Sequence, residues 1–235
     1  MMGRRGVLGL LASVAAAPLS GCLKPHETLR YRLTLEVRTP QGMKTGSSVL
    51  QNDAWGPSVI PLPGDIGGSG YIGEAPMVDL GDGRLLFALL CGPDWQRDIF
   101  GIVSAVLSYP ELKLGGPDDG LMQRMKRANE TKPSAKLGRG QYPILVTFTD
   151  INEPKSVIEV ASNDLAASFG AGYELAEITF QVVDQQTPLT TGIRQRLKWL
   201  GPHPETRLDQ QVKTLNDRSL ARTLFNGCFV SGSAK

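Results

Sequence analysis

Few side chains in this 235-residue chain combine reactive chemistry with a telling spacing. Carboxylates come closest. Asp79 and Asp82 flank one glycine-containing turn, and Asp118 and Asp119 are adjacent. Two acids held together can bind a cation or share the work of hydrolysis. Neither pair has the alternating ladder of a calcium loop, and Asp in turns also follows from its backbone preferences alone. The three thiols, Cys22, Cys91 and Cys228, are the second resource. A thiolate is a nucleophile, and two thiols in an oxidising compartment can join. The only histidines are His26 and His203, and neither has the partner spacing of a zinc site. No nucleophile elbow, P-loop or dinucleotide glycine pattern occurs, so the sequence implies neither a metal nor a cofactor.

Three weaker signals remain. Lys44-Thr45-Gly46 matches one motif of penicillin-recognising serine enzymes, without the S-x-x-K and S-D-N motifs that accompany it there. Arg194, Arg196, Lys198 and Trp199 fit either an anion-binding edge or a solvated basic edge. Trp55 stands in residues 53–70, DAWGPSVIPLPGDIGGSG, where nearly half the residues are Gly or Pro. That density excludes a regular element, and long connections of this kind are often binding loops or covers over a sheet. Trp55, Val59, Ile60, Leu62 and Ile66 are expected to pack the loop down. Trp55, Asp79 and Asp82 are therefore the candidate binding residues. Convergence of the loop and the two acids on one pocket would favour catalysis.

The N-terminus carries the sharpest chemistry. Arg4 and Arg5 precede an apolar stretch, residues 6–17, too short to span a membrane, and Pro18 ends it. Leu19-Ser20-Gly21-Cys22 follows and resembles the bacterial lipobox, where the cysteine thiol receives a diacylglycerol and the chain is cut just before it. Residues 1–21 are thus expected to be a lipoprotein signal peptide, Cys22 a lipidation site and residues 22–28 a short tether. Two or three acyl chains would hold the protein firmly on a membrane, where one is marginal. Leu23, a residue other than Asp after the cysteine, favours the outer membrane over the inner, on the periplasmic side. Arg4-Arg5-Gly6-Val7-Leu8 also fits the core of a twin-arginine signal, so both export routes stay open.

Export alters the arithmetic. The chain carries 25 basic and 23 acidic residues. Loss of Arg4 and Arg5 with the signal leaves 23 of each, a neutral domain with no basic excess for nucleic acid. The full chain's 41% hydrophobic content excludes full-length disorder, and no apolar run reaches the ~20 residues of a span. Cys91 and Cys228 either pair in the oxidising compartment or lie buried as two small hydrophobes; sequence leaves both open.

The elements that must position these groups are legible from periodicity. In residues 29–38, Leu29, Tyr31, Leu33, Leu35 and Val37 alternate with polar residues, as in a strand with one face on a core. Thr39-Pro40-Gln41-Gly42 predicts a turn and residues 43–51 its antiparallel partner. Residues 71–80 and 84–91 predict a second hairpin about Gly81-Asp82-Gly83, with the apolar residues 85–90 central in the sheet. Helices are expected over 98–108 and 119–129, a loop over 130–140, and strands over 144–149, 156–160 and 174–183. A short helix is expected between Ser162 or Asn163 and Phe169. Residues 190–200 suit a helix or a strand, and helix is adopted, capped by Thr190 or Thr191. Leu208, Val212 and Leu215 form a further helical face, and Leu220, Ala221, Leu224 and Phe225 another after an Asn216 cap. Strict βαβ alternation is missing, which predicts one α+β domain over residues 29–235, mostly antiparallel, with helices on one side.

The stretches YRLTLEVRTPQGMKTGSSVL, VDLGDGRLLFALL, ILVTFTDINEPKSV, LAASFGAG and LTTGIRQRLKWL resemble an uncharacterised family of proteobacterial proteins. The resemblance covers most of the mature chain and implies no reaction or catalytic residue. Two function classes follow: a lipid-anchored, non-catalytic envelope protein with an envelope protein partner, or an envelope hydrolase working through carboxylates.

Overall fold

The computed structural model describes residues 24–58, 63–92, 98–211 and 219–232. Cys22 and the lipobox lie outside these residues, as do Val59, Ile60, Leu62, Val212, Leu215 and Asn216.

Alternation dictates the longest element. Strand β1 (His26–Thr39) buries Leu29, Tyr31, Leu33, Leu35 and Val37 almost completely, each contributing roughly 2 kcal/mol of apolar burial. It pairs in unbroken antiparallel register with β2 (Gly42–Trp55), from Thr39 opposite Gly42 to His26 opposite Trp55. Pro40 and Gln41 form the loop, and the Thr39 hydroxyl closes it by donating to the Gly42 carbonyl at 2.8 Å. β1 starts inside the expected tether: His26, Glu27 and Thr28 are already paired.

The expected α+β architecture forms, with every strand pair antiparallel, but the strands divide between two sheets. The six-stranded sheet runs β10-β3-β2-β1-β9-β6, with β3 (Gly68–Glu74), β6 (Ser134–Lys136), β9 (Glu174–Val182) and β10 (Val230–Ser231). The four-stranded sheet runs β4-β5-β7-β8, with β4 (Met77–Gly81), β5 (Arg84–Ala88), β7 (Leu145–Phe148) and β8 (Val157–Glu159). The expected strand over 71–80 is the one that splits. Gly73 at φ +145° and Pro76, which has no amide hydrogen, end β3, and the chain re-enters as β4 of the other sheet. The β4–β5 hairpin turns through Gly81, Asp82 and Gly83, all at positive φ. β5 lies between two strands, and residues 85–90 are all buried.

One buried cluster spans both sheets. Tyr31 stacks on Phe180 at 4.9 Å, and Phe229 packs against Phe87, Phe148 and Trp199 with ring centroids 5.8–5.9 Å apart. Helix α1 (Ile99–Val106) packs on β3, and α2 (Leu121–Thr131) on β1 and β2. Asp98 caps α1 by accepting from the Phe100 amide at 2.9 Å.

The remaining helices are single turns. α3 (Ala166–Phe169) ends at Gly170, φ +99°. α4 (Ile193–Arg196) is all that forms of the helix expected over 190–200. Thr190 does not cap it; its hydroxyl instead accepts the Val49 amide at 2.8 Å, beyond the stretch of β2 that pairs with β3. Leu208 is not helical. Its amide donates to the Leu224 carbonyl, next to a bridge between Arg207 and Phe225. α5 (Leu220–Thr223) starts after Ser219. Residues 130–140, expected as a loop, contribute β6.

Candidate functional site

Trp55 ends β2, between His26 of β1 and Gly68 of β3. The surrounding glycines make room for it. A Cβ on Gly68 would lie 2.6 Å from Trp55 Cζ2, and one on Gly67 would lie 2.4 Å from the Trp55 carbonyl oxygen. Both ends of the supposedly irregular segment 53–70 are therefore strands. Their glycines are places where a side chain would strike the tryptophan.

The half-buried indole lines an open groove of about 480 Å³ together with Ile66, Phe100, Leu121 and Met122. Four segments build it: the end of β2 with its following loop, the start of β3, the first turn of α1 and the first turn of α2. Ile66 does not pack down as expected; it is 89% exposed at the rim. Among the described residues, no titratable side chain lines this groove. It offers mainly apolar contact and shape, with Ser69 and Gln123 as its polar side chains.

The N-terminal residues are fastened beside it. The Gly56 amide donates to the Pro25 carbonyl at 2.9 Å, and Lys24 Nζ pairs with Asp65 at 2.8 Å. Asp65 also accepts the Ser58 amide at 2.8 Å. The Lys24 ammonium and then the Ser58 contacts hold the Asp65 carboxyl well below the usual carboxylate range.

A polar group lies at the same end of the sheet. The Tyr31 hydroxyl donates to Asn52 Oδ1 at 2.9 Å in the core, while Asn52 Nδ2 is a buried donor without a partner. Burial pushes the Tyr31 phenol well up, and burial followed by the charge of Asp98 pushes Tyr71 up to about 12. Burial also raises Asp98, against the Phe100 amide that lowers it.

Asp79 and Asp82 do not join Trp55. They sit on the exposed β4–β5 turn, each with an arginine: Asp79 3.3 Å from Arg196 Nη2, Asp82 2.9 Å from Arg84 Nη2. The break between β3 and β4 is the cause, because it carries the two acids into the other sheet. Asp119 serves its own loop, accepting from the Gly116 amide and Arg127 at 2.7 Å each. Arg194 donates to the carbonyls of Leu200 and Gly201, and Trp199 Nε1 to that of Ile151. Two of the four members of the basic edge thus bond to backbone carbonyls, while Arg194, Arg196 and Lys198 stay exposed. Among the described residues, no three His, Cys, Asp or Glu side chains come together as metal ligands would.

Cys91 and Cys228 are joined, with S–S 2.09 Å and Cα–Cα 4.7 Å. Gly46 of the Lys44-Thr45-Gly46 triplet has a packing role: a Cβ there would lie 2.0 Å from the Met77 carbonyl oxygen. Sequence reasoning placed Phe100, Leu121 and Met122 within expected helices and missed all three as groove residues. A signal existed for Phe100, which falls off the Ile99, Ile102, Val103 and Val106 stripe that α1 buries.

No family model, curated protein or solved structure matches this chain.

Proposed function

We propose that this chain is a lipid-anchored protein of the bacterial envelope, held through Cys22 on the periplasmic side of the outer membrane, and that it acts by binding a partner. The lipobox Leu19-Ser20-Gly21-Cys22, placed directly after a charged and short apolar leader, carries this reading. Two structural features support it. The Cys91–Cys228 bond suits an oxidising compartment, and the groove at Trp55 is apolar. A hydrolase built on Asp79 and Asp82 has less support, since each acid engages an arginine on an exposed turn.

Palmitate labelling in cells tests the anchor. The wild-type protein is expected to take up label and sediment with membranes, and Cys22→Ala to lose the label and appear unprocessed or soluble. A Cys22→Ala protein that stays membrane-bound at mature size overturns the reading. Crosslinking from envelope fractions then tests partner binding: recovery of no partner, together with turnover of an ester or glycan panel, favours the hydrolase.

A further inference from the structure

We propose that the groove at Trp55 is a membrane-contact surface, which seats on the leaflet that holds Cys22 and fixes how the domain stands on it. This rests on the lipid-anchor reading and adds an orientation to it.

Position is the first ground. Cys22 precedes Lys24 by two residues, and a chain advances at most ~3.6 Å per residue, so their α carbons are at most ~7 Å apart. Lys24 is fastened to Asp65 and Pro25 to Gly56, on either side of the loop that carries the groove rim. Acyl chains on Cys22 therefore bring this end of the six-stranded sheet to the lipid. The β1–β2 turn at Pro40 lies 14 strand residues away, about 45 Å at the usual rise per residue.

Chemistry is the second ground. Ile66, 89% exposed, is a large apolar side chain projecting at the rim next to the anchored residues. Behind it stand Trp55, Phe100, Leu121 and Met122, and among the described residues no charged side chain lines the groove. Indole rings favour the boundary between headgroups and acyl chains, and aliphatic side chains gain by leaving water there. A groove for a charged partner would need complementary charge, and the described residues of this wall supply none.

The test uses the mature lipidated protein, purified from membranes and reconstituted into vesicles of phosphatidylethanolamine and phosphatidylglycerol brominated along the acyl chains. Mass spectrometry first reads whether Cys22 carries lipid. Comparison of wild type with Trp55→Phe then isolates the Trp55 emission. Lipid on Cys22 with loss of the Trp55 emission in brominated vesicles is the expected result. Ile66→Asp, a change at an exposed position, is expected to restore that emission. In a Cys22→Ala protein made without residues 1–21, it should also lower partition onto the same vesicles at least ~10-fold. Lipid on Cys22 with unquenched Trp55 overturns the membrane-contact surface and leaves the anchor standing, with the groove free for a protein partner. An unmodified Cys22 overturns both.

Discussion

Asp98 caps the first turn of α1 and is half-buried while doing so. The two roles oppose each other: the Phe100 amide favours the charged carboxylate, and burial disfavours it more strongly, so its protonation lies above the ordinary value of ~3.9. The sign of the pH effect follows. As pH falls through the raised value toward the ordinary one, the folded state takes up a proton before the unfolded state does, and stability rises. Asp98→Asn keeps a good cap and removes the charge. The variant is expected to melt above wild type at pH 7, with the gap closing as pH approaches ~4. Melting curves across that range check it, and a gap that does not change with pH rejects it. This environment was hidden in the sequence. The capping position before Ile99 is readable, whereas burial of Asp98 near Tyr31 and Tyr71 depends on strands far away in the chain.

Elements formed largely where local rules placed them, and their crossings did not follow from those rules. The β1–β2 hairpin, α1 and α2 each follow from a periodicity and a terminator within a dozen residues. The ambiguous segment 190–200 became mostly irregular because Thr190 is drawn to the unpaired amide of Val49. Gly46 marks the tightest crossing, where β2 passes the start of β4 with room for a hydrogen atom alone. Gly46→Ala must push one strand away from the other, and is expected to cost about 3 kcal/mol or more. Urea unfolding should show a lower midpoint with an unchanged slope. An unchanged midpoint would mean that the two strands part freely.

At the scale of the whole molecule, the C-terminal segment ties the two sheets. The Leu90 amide donates to Cys228 O and the Ala75 amide to Phe229 O, both at 2.8 Å, while Val230 pairs with Glu74. The Cys91–Cys228 bond locks this arrangement across 137 residues of chain. A cross-link over so long a loop removes much of the unfolded chain's freedom. Cys91→Ala with Cys228→Ala is expected to cost about 2–5 kcal/mol. Hydrogen exchange should quicken first at residues 229–231, ahead of the β1–β2 pair, and equal protection of both regions would contradict the tie. By itself the sequence determined the α+β class and most single elements, and it holds the short motif on which the proposed lipid anchor rests. Each of these is written in neighbouring residues, through alternation, turn chemistry or a short motif. Tertiary structure alone decided that the strands form two sheets and that Cys91 meets Cys228. It also placed Asp79 and Asp82 apart from Trp55, and brought Ile66, Phe100 and Met122 to one groove. Those outcomes depend on which distant surfaces bury one another, a choice made by the shared core and not by any local stretch of chain.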